Sequence, residues 1–338
     1  MAEGDSINAY RPGAHRLSTH DRELMKRLTA VVLFVFVFTG AFAYLDRVYS
    51  RKFLDITGEA KWIWAQHRMS AETPLAFFAT RAFDLPETRL FTHLKILGDP
   101  EYAVYLNGQM IGSRYVGEDR TLDVYDVSSI ARTGRNQLLI AVRAPKGTGG
   151  LIAAIDIAPE IANFVVSDES WRIHRYWTPS LLTPEPVARW ETPLIIGEPP
   201  YGRWNYLTQR PQELLEPPAG VILPKRELEV VGLMPTISTR SGVAVAGSEK
   251  RPATVFEFGP VRGQLRVRLD APRPVAHSVP VRFVNHPDEL GFAAAIQRYV
   301  VFAPGETVVT IPETYEFNFA MLFDRGVDAA VVRDPPSK

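Results

Sequence analysis

The stretch DPEYAVYLNGQMIG, residues 99–112, decides the fold. Alternating side chains run up to Asn107-Gly108 and away from it, and Asn-Gly supplies the positive φ angles of a tight two-residue turn. Two antiparallel strands joined at that turn follow, which sets this part of the chain among β-proteins.

Working outward, short runs rich in Val, Ile, Phe and Tyr lie on both sides: Leu75–Phe83, Arg89–Ile96, Tyr102–Leu106, Leu138–Arg143, Leu151–Ile157 and Trp171–Tyr176. Gly, Pro, Asn and Asp separate them, the pattern of an antiparallel sandwich, here over residues 60–177. Residues 178–225 differ, because prolines recur throughout and argue against regular ladders. An extended, semi-rigid strap is expected there. Its aromatic residues Trp190, Tyr201, Trp204 and Tyr206, with Trp177 just before, favour a strap packed on a domain or partner.

After Arg226 strand patterning returns in Glu227–Leu233, Val243–Val245, Thr254–Phe258, Gly263–Leu269, Val279–Val284, Arg298–Phe302, Thr307–Ile311 and Phe317–Phe323. Within Gln264–Leu269 the alternation places Leu265, Val267 and Leu269 on one face. A second sandwich is therefore expected over residues 226–334.

Toward the N-terminus, LTAVVLFVFVFTGAFAYL, residues 28–45, carries no charge. As a helix rising about 1.5 Å per residue it nearly crosses a ~30 Å hydrocarbon layer. Lys26 and Arg27 close it on one side, Asp46 and Arg47 on the other, with Tyr44 and Tyr49 at the interface. Ser18 and Asp21 resemble a capping box, which starts the helix near Thr19 and leaves residues 1–27 as an arm leading into the span. Ala41-Phe42-Ala43 also fits a cleavage pattern, but the long leader and the apolar run through Leu45 favour a retained span. Basic residues slightly outnumber those beyond it on the N-terminal side, which puts the N-terminus in the cytoplasm and the β-domains in a bacterial periplasm. Without an ionisable residue the span reads as an anchor, with Leu28, Phe34, Phe36, Phe38, Phe42 and Tyr44 facing lipid, another helix or a pigment.

The 338 residues suffice for an anchor and two domains. A composition of 46% hydrophobic and 22% charged residues is that of a chain with packed cores. Its 38 basic and 38 acidic residues cancel, which speaks against nucleic acid as partner. The lack of Cys removes disulfides, thiolate nucleophiles and zinc-thiolate sites. The histidines at 15, 20, 67, 93, 174, 277 and 286 show no metal-ligand spacing. No G-x-S-x-G elbow occurs, and the glycines of Lys146–Gly150 lack the Lys-Ser/Thr of a phosphate loop. No catalytic residue, metal or cofactor is expected, and the adjacent acids Glu118-Asp119 and Asp288-Glu289 read as solvated turn charges.

The series DPEYAVYLNGQMIG, then Leu122–Val127, TGRNQLLIAVRAP and SDESWRI resembles the sugar-binding, galactose-binding-like jelly-roll domains of family-two glycoside hydrolases and α-L-rhamnosidases. There a VYLNG hairpin, a DV strand end and a G-x-N-x-L-x-V strand follow in order, matched here by Val104–Gly108, Asp126-Val127 and Gly134–Val142. VFEFGPVRGQLRVRL resembles the opening of a second sandwich in rhamnosidase-like proteins. The paired carboxylates of those enzymes lie in a separate barrel domain with no counterpart expected here. The resemblance implies an all-β fold of two jelly-roll-like sandwiches behind one transmembrane helix.

Trp62 and Trp64 in KWIWAQHR could stack on sugar rings or fill an edge of the core. With Trp177, Trp190, Trp204 and Tyr206 they are the candidates for partner or glycan contact. Three functions are weighed. The favoured one is a non-catalytic, single-pass accessory subunit of a respiratory or photosynthetic membrane complex, with integral membrane proteins as partners. The alternative is a membrane-anchored carbohydrate-binding protein, which calls for an exposed row of Trp and Tyr, whereas buried tryptophans favour the first. A hydrolase would need acids or a Ser–His pair converging in a pocket.

Overall fold

The computed structural model describes residues 19–67, 72–86, 91–158, 161–183, 187–204, 209–212, 214, 220–230, 253–287, 289 and 296–333. It separates into two compact units, Met1–Lys52 and Phe53–Lys338.

Helix α1 runs over Thr19–Thr57. Its apolar part, Glu23–Leu45, has a mean hydropathy of 2.3 and is wholly unburied, long and apolar enough to cross a membrane; a signal sequence would pass the same test. The hydroxyls of Thr29 and Thr39 donate to the carbonyls of Met25 and Val35 at 2.8 and 2.7 Å, which hides both polar groups inside the apolar stretch. The helix continues past the charges at Asp46 and Arg47 for about three further turns.

The β-structure begins with β1 (Trp62–Trp64), β2 (Leu75–Leu85), β3 (Phe91–Asp99), β4 (Glu101–Leu106) and β5 (Gln109–Tyr115). It continues with β6 (Leu122–Asp126), β7 (Gly134–Ala144), β8 (Gly150–Ala158), β9 (Ile161–Val166) and β10 (Arg172–His174). The expected hairpin is β4–β5, with Asn107 at φ 52° and Gly108 at φ 82°. Both residues are left-handed, as a type I′ turn requires, and a side chain at Gly108 would also press on the Leu182 carbonyl.

Two sheets form the first sandwich. One is ordered β10-β2-β7-β4-β5; the other has β1-β8-β3-β6 at its centre and β9 beside β8. Between them lies an apolar core that includes Ile63, Trp64, Phe77, Leu94, Ile96, Ile140, Leu151 and Trp171. Each such side chain contributes about 1.5–3 kcal/mol on leaving water.

The proline-rich strap does enter ladders, contrary to expectation. Its short strands β11 (Leu194–Gly197), β12 (Gln209–Gln212) and β13 (Gly220–Ile222) pair with β1, β6 and a strand of the second sandwich. All three are edge strands of three or four residues. An edge strand needs only one side bonded, so even Pro211 is tolerated within β12.

The second sandwich contains β14 (Arg226–Val230), β15 (Ala253–Leu269), β16 (His277–Val284), β17 (Arg298–Phe302), β18 (Val308–Leu322) and β19 (Val327–Arg333). Here one seven-stranded sheet, ordered β13-β19-β15-β18-β16-β17 with β14 on β15, supplies every strand. The runs read as separate strands, Thr254–Phe258 with Gly263–Leu269 and Thr307–Ile311 with Phe317–Phe323, are halves of β15 and β18. Register breaks at Glu257/Val261 and Gln264/Arg266 bend this pair, so Gly259-Pro260 marks a bulge and not a turn. The core gathers Phe256, Leu265, Val281, Phe302, Phe317 and Val331. The expected strand at Val243–Val245 lies outside the described residues.

The sandwiches meet on the outer face of the five-stranded sheet. There Ala76, Phe78, Leu139 and Ala141 pack with Leu181 of the strap and with Val301 and Ala303 of the second sandwich.

Candidate functional site

The sequence candidates do not form one surface. Trp62 and Trp64 have no exposed area, and Trp204 retains 6%. Trp62 and Trp204 stack with ring centroids 4.4 Å apart, within the range of favourable aromatic pairs. Gly150 makes room for them, since a Cβ there would stand 2.6 Å from the Trp204 ring. The Trp204 indole N–H donates to Asp99 Oδ2 at 2.7 Å, and the Arg203 guanidinium holds the same oxygen at 2.8 Å. Trp64 meets Phe77 edge-on and donates to the Gly147 carbonyl at 3.2 Å. Trp190 is 48% exposed, with the Arg172 guanidinium 5.0 Å above its ring. Half-buried Trp177 leans on Phe78 at 5.2 Å. Tyr206 lies outside the described residues. In the helix, Leu28, Phe34, Phe36, Phe38, Phe42 and Tyr44 are all exposed. Among the described candidates of the β-body Trp62 and Trp204 come together, inside the protein, and on the helix Phe34 and Phe38 stack with ring centroids 6.1 Å apart.

What sequence reading missed is a cleft of about 690 Å³ between the sandwiches, bounded by β2, β4 and β7 on one side and β15, β18 and β19 on the other. Trp177, Tyr105 and Met110 offer apolar surface to it; Gln109, Ser113 and Gln264 offer hydrogen-bonding groups. Its floor is a ladder of buried charges. Glu306 holds Arg143 with both oxygens, at 2.7 and 2.8 Å, and Arg143 also donates to the Val301 carbonyl at 3.1 Å. The Arg143 Nε stands 3.8 Å from Glu101, whose other oxygen accepts from Arg298 at 2.5 Å. Arg298 then reaches Glu313 at 3.1 Å and lies 3.9 Å over the Tyr115 ring.

Glu101 and Arg143 come from the first sandwich, while Arg298, Glu306 and Glu313 come from the second, so two ion pairs and the bond to the Val301 carbonyl cross the joint. Burial pushes the Glu101 carboxyl above its ordinary range, against the pull of Arg298 and Arg143. Burial disfavours the Arg143 charge, yet the Glu306 carboxylate holds its pKa above the usual guanidinium value. Burial likewise raises the Tyr105 phenol. Such a ladder fixes geometry more than it adds stability, because desolvation offsets much of the attraction. The signal for it was an arginine inside each of two apolar strands, LLIAVRA and RYVVF. Their partners, more than 150 residues distant in three of the contacts, had no sequence signature.

Of the adjacent acids, Glu118 is exposed and Asp119 pairs with Arg114 and Arg210 at 3.0 and 2.9 Å. Hydrogen bonds from Thr121 and these two guanidinium groups outweigh partial burial and hold the Asp119 carboxyl below its ordinary range. Asp288 lies outside the described residues, and Glu289 is half-buried. Among the described residues no group of three or more His, Asp or Glu is placed to hold a metal.

No protein-family model matches the chain, and no curated protein matches it. Among solved structures it is similar to the α-L-rhamnosidase from Dictyoglumus thermophilum, at 16% identity and a TM-score of 0.48, covering 82% of this chain and 36% of that one. It is similar also to the GH78 family rhamnosidase of Bacillus sp. GL1, at 19% identity and a TM-score of 0.38, covering 82% and 34%. A lectin from Pleurotus ostreatus, solved with GalNAc, is 15% identical with a TM-score of 0.36, covering 82% and 75%. The chain spans about a third of the length of the rhamnosidases, the group that the residue 99–112 hairpin and the strands after it resemble.

Proposed function

We propose that this chain is a non-catalytic, membrane-anchored interaction subunit. In this reading α1 crosses a bacterial inner membrane with its N-terminus in the cytoplasm, and the two sandwiches stand in the periplasm against integral membrane partners. The burial of Trp62, Trp64 and Trp204 carries the proposal: the aromatic faces that a glycan platform would present are spent on the protein's own core. The exposed phenylalanines of the span then provide the surface that remains to be covered.

The test is purification of the full chain from its native membrane in mild detergent, followed by mass spectrometry and an absorption spectrum. Recovery in fixed stoichiometry with integral membrane proteins, lost when residues 28–45 are exchanged for an unrelated span, supports the proposal. Recovery alone as a monodisperse protein overturns it.

The cleft favours a second reading, a membrane-anchored glycan-binding protein. An aromatic wall at Trp177 and Tyr105 beside Gln109 and Gln264 has the mixed chemistry that grips a sugar ring. Titration with neutral oligosaccharides decides: saturable binding abolished by Trp177→Ala supports this reading, and no binding removes it.

A further inference from the structure

Three arginines lie on the outward face of β15, and the register gives two of them an acid and the third none. The outward residues are Arg262, Gln264, Arg266 and Arg268, with Leu265, Val267 and Leu269 turned into the core. Arg262 stands across the β18 ladder from Glu316 and pairs with it at 3.4 Å, and Arg268 stands across the β19 ladder from Asp328 and pairs with it. Opposite Arg266 the register places Thr310 on one side and Ala330 on the other. Among the described residues its side chain makes one hydrogen bond, from Nε to the Thr310 hydroxyl at 3.3 Å, which leaves both terminal nitrogens of the guanidinium group without a partner there.

Arg266 lines the cleft between the sandwiches. The other charged groups on that lining, Glu101, Arg143 and Glu306, are engaged in the ladder: Arg143 holds Glu306 at 2.7 and 2.8 Å, and Arg298 holds Glu101 at 2.5 Å. Glu313, off the lining, is taken by Arg298 at 3.1 Å. One guanidinium group therefore borders the hollow with no carboxylate paired to it among the described residues. Low-dielectric walls focus the field of such a charge and favour an anion inside the cleft. The walls also narrow the choice of anion. Trp177 and Tyr105 present aromatic surface, while the side chains of Gln109 and Ser113 have no hydrogen-bond partner among the described residues. Gln264 donates its amide to the Pro312 carbonyl at 2.7 Å, which leaves its side-chain oxygen as an acceptor. At about 690 Å³ the hollow falls within the ~300–1,000 Å³ of sites that enclose small organic ligands.

We propose that the cleft takes an acidic oligosaccharide, with the carboxylate of a uronic acid unit bound by Arg266, a sugar ring against Trp177 and Tyr105, and ring hydroxyls on Gln109, Ser113 and Gln264. The inference rests on the glycan reading of the cleft and names the class of glycan. A guanidinium fork presents two parallel N–H donors to the two oxygens of a carboxylate, the geometry of a bidentate pair. A single unpaired arginine, above a floor whose acids are themselves held by arginines, matches one such charge. A densely charged polyanion would need more than one free cation, and the described lining offers one.

The test is calorimetric titration of the full chain in neutral detergent with trisaccharides of galacturonate, glucuronate, mannuronate and guluronate, each as the free acid and as its methyl ester, at constant ionic strength. The ester keeps the sugar rings and removes the charge. Saturable one-to-one binding of at least one free acid, at least tenfold tighter than that of its ester, is expected. Arg266→Gln should erase this difference and leave the affinity for the ester unchanged. Arg266 has no ion pair to lose among the described residues, so its substitution spares the fold, which a melting curve checks. Arg262→Gln, on the same strand but off the cleft lining, should leave the preference intact. Equal binding of acid and ester overturns the inference and leaves the glycan reading standing. A preference for the acid that survives Arg266→Gln, or that falls equally in Arg262→Gln, does the same. Binding of neither form overturns the inference together with the glycan reading.

Discussion

The aromatic residues of the helix and those of the β-body have the same chemistry and opposite fates. Phe34, Phe36, Phe38 and Phe42 are 63–79% exposed, whereas Trp62 and Trp64 have no exposure and Trp204 almost none. The body closes its large rings upon one another, Trp62 on Trp204 and Trp64 on Phe77, and satisfies Asp99 in doing so. The helix has no such closure, and burying its rings requires a second phase or a second protein. An exposed apolar stretch of that size marks a membrane or an interface, since soluble surfaces rarely carry one.

The sharpest way to break the comparison is to make the helix tolerate water. Replacing Val35 and Phe36 with Arg places two charges near the centre of the span, at roughly 2.5–3.5 kcal/mol each on insertion scales. Nearly complete transfer from the membrane to the soluble fraction is expected on fractionation, with the body still folded by circular dichroism. Retention in the membrane at wild-type level would refute the role given to these side chains.

Next in size is Trp62→Ala, which empties a fully buried site and leaves Trp204 without its stack. A loss of about 3–5 kcal/mol is expected, read by chemical denaturation of the full chain in detergent. The exposed Trp190→Ala should stay within about 0.5 kcal/mol. Equal effects would mean that the two tryptophans are not in different environments.

The charge ladder sharpens the same contrast on the polar side. Glu306→Gln leaves the Arg143 guanidinium buried without its bidentate partner, and about 3 kcal/mol of stability should be lost. The double substitution Arg143→Met with Glu306→Leu should cost clearly less than that single one, because no uncompensated charge remains. If the double variant is the worse of the two, the ladder stabilises the joint outright and its role here is misjudged.

The smallest expected effect is at Asp126. Two hydrogen bonds from Ser128, one from the hydroxyl at 2.5 Å and one from the amide at 3.0 Å, hold its carboxyl below the ordinary carboxylate range. A depressed folded value means that the stabilisation is present above the unfolded pKa, about 3.9, and is lost as pH falls through the folded one. Asp126→Asn should therefore cost under about 1 kcal/mol at pH 7, and wild type and variant should converge as the pH falls through the depressed folded value. A difference that persists in acid would assign the effect to something other than the charge.

Much of the fold was legible because its signals are local. Asn107-Gly108 specified a turn by backbone conformation alone, and the alternation at Gln264–Leu269 named the inward face of β15. The long apolar helix was legible for the same reason, since each residue reports its own hydropathy. Reading failed where a residue's meaning is set by a distant neighbour. Gly259-Pro260 looks like a strand break, yet β18 pairs with β15 on both sides of it and carries the strand across. Prolines in the strap looked prohibitive until edge positions beside β1, β6 and β19 supplied the one bonded side they allow. Trp204 and Trp62 were both singled out, but that one would stack on the other depends on the 141 residues of chain between them. The cleft and its ladder were invisible for a plainer reason. Alternation tells which face of a strand is covered, not which sheet covers it.

The most direct test of the contrast between helix and body is the intact mass of the chain in carbonate-washed membranes. The expected result is the full 37.8 kDa chain in the membrane pellet, with its apolar helix retained. A shortened chain beginning after Ala43 and found in the soluble fraction would contradict it, for the exposed phenylalanines would then belong to a leader and not to the working protein.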